Sequence, residues 1–82
     1  MGDNYNPEYL TAAHNYLPLG TIVLLKNIRN KKSVFVLIND RGPFNRTREM
    51  DISQRAATNL GLKNNKTESL QMKVITDSYF YR

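Results

Sequence analysis

Three short stretches of this 82-residue chain hold side chains able to do chemistry. The first is Thr11-Ala12-Ala13-His14, which ends on the one histidine. A lone histidine is more often a hydrogen-bonding structural residue than a catalyst, although imidazole exchanges protons near neutral pH. The second is Asn39-Asp40-Arg41-Gly42-Pro43. An aspartate leaving a strand into a Gly-Pro turn commonly accepts nearby backbone N–H groups. At the mouth of a barrel, the same carboxyl would be pushed by burial toward its protonated form, which suits a general acid. Arg41 opposes that shift if it points the same way. The third stretch is Met50-Asp51-Ile52-Ser53, where either Asp51 or Ser53 can cap a following helix.

Other chemistries are poorly served. There is no Gly-rich phosphate loop, no His-x-x-x-His pair and no defensible Ser/His/Asp spacing. The absence of cysteine removes disulfides, thiolate nucleophiles and Cys-based metal sites. One histidine with scattered carboxylates makes a weak ligand set, so neither metal nor cofactor is expected. Twelve Lys and Arg against seven Asp and Glu give a net charge of +5, which favours anionic partners. The basic residues (Lys26, Arg29, Lys31, Lys32, Arg41, Arg46, Arg48) lack an interleaved aromatic platform, so nucleic acid is not the expected partner. No apolar run approaches ~20 residues, and none is expected to span a membrane as a helix. The N-terminus shows no signal-peptide pattern.

The elements that must hold these residues are short. Tyr9–His14 reads as a brief turn of helix, ended by Pro18. Thr21–Asn27 and Ser33–Asn39 are β-rich runs joined by a turn at Asn30-Lys31-Lys32, which predicts a hairpin. The unbroken apolar run of the second strand predicts burial on both faces. Arg48–Ile52 reads as a short strand. Ser53 then caps a helix over 54–60 that stops at Gly61, with Ile52, Ala56, Ala57 and Leu60 on one face. Residues 62–69 read as a polar loop. Leu70–Ile75 alternates as a half-buried strand does, and Ser78–Tyr81 is β-prone. A mainly β domain spanning residues 1–82 is expected, and a small barrel hides short strand edges better than an open sheet.

Four blocks carry a resemblance. They are Leu10-Thr11-Ala12-Ala13-His14, Leu17-Pro18-Leu19-Gly20-Thr21, Ile38-Asn39-Asp40-Arg41-Gly42-Pro43-Phe44 and Asp51-Ile52-Ser53-Gln54-Arg55-Ala56-Ala57. In this order and spacing, the chain resembles the rare lipoprotein A domain family over about residues 2–75, leaving 76–82 as a tail or extra strand. The resemblance implies a six-stranded double-psi β-barrel with one short helix near 53–60. The family's usual first strand is absent from this sequence. Ser78–Tyr81 is expected to fill its place, within the chain or by strand exchange in a dimer. Expansin barrels are more distantly similar.

The family's activity is lytic transglycosylation of peptidoglycan. The β-1,4 bond between N-acetylmuramic acid and N-acetylglucosamine is cut, with some members preferring strands stripped of stem peptides. The muramic acid C6 hydroxyl attacks its own anomeric carbon, leaving a 1,6-anhydro end. One carboxylic acid to protonate the leaving oxygen and a base for the C6 proton suffice; no second carboxylate has to activate water. By resemblance Asp40 is the acid/base, and His14 holds or polarises it or contacts substrate. Asp3 falls on an upstream acidic position that is more often Glu. Thr11, Asn39, Arg41 and Asp51 are the implied substrate contacts. The implied partner is the peptidoglycan glycan strand, and the implied location is the bacterial cell envelope. The alternative is a barrel that binds glycan or a partner without cutting it.

Overall fold

The computed structural model describes residues 8–43, 50–62 and 70–75. They form five strands and one helix: β1 (Thr11–His14), β2 (Ile22–Asn27), β3 (Ser33–Asp40), β4 (Met50–Ile52), α1 (Gln54–Asn59) and β5 (Leu70–Val74). The strands make one sheet in the order β4-β1-β3-β2-β5. This is the mainly β, one-helix architecture of a double-psi barrel. The expected sixth strand is not seen among the described residues, and Ser78–Tyr81 lies outside them.

β1 corrects the reading of Tyr9–His14 as a turn of helix. All four of its residues are buried, and it is paired on both sides, parallel to β3 and antiparallel to β4. Two ladders of hydrogen bonds outweigh the weak local preference of a Thr-Ala-Ala-His tetrapeptide.

β2 and β3 form the predicted hairpin, in register from Ile22↔Leu37 to Lys26↔Ser33. Val23 and Leu25 from β2 meet Val34, Val36 and Ile38 from β3 in the core. Alternation then sends Phe35 and Leu37 outward, where they are 55% and 40% exposed. The expectation that β3 is buried on both faces is therefore corrected. An apolar run fixes strand identity, but a second layer must be present to bury its far side. β5 also departs from the half-buried reading. Met72 and Val74 pair with buried Leu25 and Val23 yet stay exposed, because β5 is the last strand of the described sheet.

Below this sheet lies α1. Ser53 is its cap, with Oγ accepting the Ala56 N–H at 3.2 Å. At the other end the Gly61 N–H donates to Thr58 O and the Leu62 N–H to Ala57 O, the paired bonds of a Schellman ending. That ending needs the left-handed backbone Gly61 supplies, at φ +70°. Ala56, Ala57 and Leu60 turn into the core against Ile52 and the strands. Each fully buried Val, Leu or Ile contributes about 1.5–3 kcal/mol, so a core this small leaves little surplus.

The β2–β3 turn is fastened to the helix end. Asn27 Nδ2 and Asn30 Nδ2 both donate to Leu60 O, at 2.9 and 3.0 Å. The same two amides accept inside the turn, Asn27 Oδ1 from Arg29 N–H and Asn30 Oδ1 from Lys32 N–H.

Candidate active site

Because β1 and β3 run parallel, their C-terminal ends reach the same edge of the sheet. β4 is antiparallel to β1 and begins there, with Met50 opposite His14. Three sequence stretches thus converge at one place. Their register is specific: Ala13 pairs with Asp40 on one side and with Asp51 on the other.

The Asp40 pairing depends on an irregularity. Ala12 pairs with Ile38, but Ala13 pairs with Asp40, so Asn39 is the extra residue. Without that step Asn39 would stand beside Ala13, and Asp40 would share the core face of Ile38. With it, Asp40, Ala13 and Asp51 share the side opposite Ile38. Two strand spacings place the Asp40 and Asp51 backbones about 10 Å apart, with only an alanine methyl between them. Both aspartates are half-buried. Sequence reading singled out both, but nothing in the one-dimensional pattern marks the bulge that brings them to one face.

Asp40 Oδ1 accepts the N–H of Arg41 at 2.8 Å. The Arg41 guanidinium is engaged by backbone carbonyls. Its Nη1 donates to the carbonyl oxygens of Leu17 at 2.6 Å and His14 at 3.1 Å. Arg41, expected as a substrate contact, is thus committed to the backbone of the loop after β1. Gly42 follows with φ +118°, which a side chain would strain, and so ends β3 sharply.

His14 is fully buried. Its Nδ1 accepts the N–H groups of both Tyr16 and Leu17, each at 3.1 Å. An acceptor nitrogen carries no proton, so the imidazole is neutral with its proton on Nε2. The Tyr16 ring packs edge-on against it, centroids 4.5 Å apart. His14 shapes the same loop from within that Arg41 ties from without. Thr11 is buried beneath this region. Its N–H points at Ser53 Oγ at 3.4 Å, and its hydroxyl meets no partner among the described residues. Asn39 is half-buried. Asp3 lies outside the described residues. No group of three or more His, Cys, Asp or Glu able to hold a metal occurs among the described residues.

A mixed sheet of this order, with one short helix and with His14, Asp40 and Asp51 brought to the end where β1 and β3 finish, is the architecture of a double-psi barrel. A family profile described as "Lytic transglycolase" matches residues 1–73, and the chain belongs to that family. It is 47% identical over 74 residues to a probable endolytic peptidoglycan transglycosylase RlpA of Nostoc sp. (strain PCC 7120), covering 90% of this chain and 20% of that protein. It is 51% identical over 63 residues to the endolytic peptidoglycan transglycosylase RlpA of Rickettsia felis, covering 77% of this chain and 28% of that one. The Neisseria meningitidis protein of the same name is 42% identical over 74 residues, covering 90% and 31%. The chain therefore spans less than a third of the length of these relatives.

Proposed function

We propose that this domain cleaves the β-1,4 bond between N-acetylmuramic acid and N-acetylglucosamine in peptide-free peptidoglycan strands, leaving 1,6-anhydromuramic ends. The observation that carries the reading is the convergence of Asp40, Asp51 and His14 at one end of the sheet. In this reading Asp40 enters the reaction protonated and gives its proton to the leaving N-acetylglucosamine oxygen. As the carboxylate, it then takes the proton of the muramic C6 hydroxyl as that oxygen closes on the anomeric carbon. No water is consumed, and Asp40 ends as it began. His14, buried and neutral, is a positioning residue that sets the loop beside Asp40. Asp51 and Asn39 bind the strand, buried Thr11 and backbone-tied Arg41 frame the site from behind, and Asp3 supplements the acid. The working location is the bacterial cell envelope.

A second reading, a barrel that binds glycan without cutting it, is favoured by the Asp40 carboxylate accepting its neighbour's N–H. One experiment separates the two. Peptide-free glycan strands are incubated with the protein and with Asp40→Asn, and the new ends are identified by mass spectrometry. Anhydro ends from the parent alone support the enzyme. Ordinary reducing ends would mean that water is activated, with Asp51 the available carboxylate. No ends from folded protein that still binds strands would leave the binding barrel.

A further inference from the structure

The outer face of β2 and β5 carries a second polar feature, at the end of the sheet away from Asp40. Register places Lys26 opposite Gln71 and Leu24 opposite Lys73, so Lys26 and Lys73 are diagonal neighbours on one face. Such neighbours stand about 7–8 Å apart, within reach of long side chains. Leu24, Lys26, Gln71, Met72 and Lys73 line a shallow groove of about 360 Å³. Arg29, Lys31 and Lys32 follow Lys26 in the adjoining turn, all exposed. None of these five cations is in an ion pair among the described residues; the ion pair seen there joins Arg55 to Glu8, at 3.8 Å.

Packing one sign of charge this closely costs folding free energy through self-repulsion. The turn is nonetheless held rigid by the amides of Asn27 and Asn30 on Leu60 O. The cations are therefore presented by a fixed backbone rather than by a floppy loop. An anion laid in the groove would relieve the repulsion and pay little ordering entropy.

We propose that this groove is a second glycan-binding site, remote from the cleavage site, which grips carboxylate-bearing sugars of the strand being cut. Lys26 and Lys73 take the carboxylate, the Gln71 amide takes hydroxyl or acetamido groups, and Leu24 forms the apolar floor. The inference rests on the glycan reading of the Asp40 site. Along β3, seven residue steps separate Ser33 at the basic end from Asp40, about 23 Å. Several sugar units are needed to engage both ends, so the groove favours internal cutting of long strands over short fragments.

The test compares the parent with the exposed double variant Lys26→Gln/Lys73→Gln on a muramic-containing tetrasaccharide and on long peptide-free strands. The expected result is an unchanged rate on the tetrasaccharide and a roughly five- to tenfold higher KM on long strands, with kcat held. Equal KM values on long strands would overturn the groove while leaving the cleavage reading intact. If neither protein cleaves, the cleavage reading fails, and backbone amide NMR titration of the parent still decides the groove. Long strands must then shift resonances around Lys26 and Lys73 more strongly than uncharged chitooligosaccharide does. Equal shifts with both, or tighter binding of a short DNA duplex, would overturn it.

Discussion

The guanidinium of Arg41 donates to the backbone carbonyl of His14 at 3.1 Å, closing a bridge between the ends of two parallel strands. Leu17 O receives the same nitrogen at 2.6 Å, so one side chain holds both ends of the loop after β1. Arg41→Ala should cost about 1–2 kcal/mol of stability, the value of charge-assisted bonds at a partly exposed site. It should lower cleavage further than that figure suggests, because the loop beside Asp40 is released. Arg41→Lys should recover little of either, since an ammonium cannot reproduce the planar fork. Denaturant melts and anhydro-end production measure the two effects separately.

His14 offers a sharper separation of shape from chemistry. His14→Asn keeps an acceptor close to the Nδ1 position, so the turn amides of Tyr16 and Leu17 stay satisfied. His14→Gln moves its amide outward and leaves them wanting. The asparagine variant should melt close to the parent and the glutamine variant clearly lower, by about 1–3 kcal/mol for buried unsatisfied groups. If His14 works only by shaping the loop, the asparagine variant should retain most activity. A large loss there, in a protein as stable as the parent, would show that the Nε2 proton itself is used.

Asp40→Asn should reduce formation of anhydro ends by about 10²–10⁴, the usual contribution of a positioned acid or base. Glycan binding should persist, because the amide preserves the side chain's shape and can still accept the Arg41 N–H. Loss of binding together with activity would point to misfolding of the strand end instead.

Ser53 has two duties, accepting from Ala56 N–H in the helix cap and lying 3.4 Å from Thr11 N. Ser53→Ala should destabilise by about 1–2 kcal/mol, toward the upper part of the range for lost caps. Thermal melting of the variant gives the value directly.

Much of this arrangement was legible in the chain. The β2–β3 hairpin, the Ser53 cap and the Gly61 stop follow from local rules, because turns and caps are decided within a few residues. Asp40, His14 and Asp51 were legible as candidates by residue type and block order. What the chain did not disclose is non-local. β1 is too short to announce itself as a strand and owes its form to its two partners. The outward exposure of Phe35 depends on what packs above β3, which the strand's own residues do not state. The bulge at Asn39, which brings Asp40 round to Asp51, exists only in the pairing of β3 with β1. The bonds of Asn27 and Asn30 to Leu60 join residues thirty or more apart, and neither asparagine carries a local signature of that role.

That shared carbonyl has a consequence for engineering. Leu60 O is one peg on which two asparagines hang, so the hairpin turn and the helix end form a single mechanical part assembled from separate stretches of chain. Even a methyl group at Gly61 would come within 2.7 Å of Asn30 Nδ2 and push the peg and its hook apart. A chimera that imports the turn from a relative but keeps the native helix end would inherit the cations without the frame that aims them. Residues 27–32 and 53–62 should therefore be exchanged together, as one cassette.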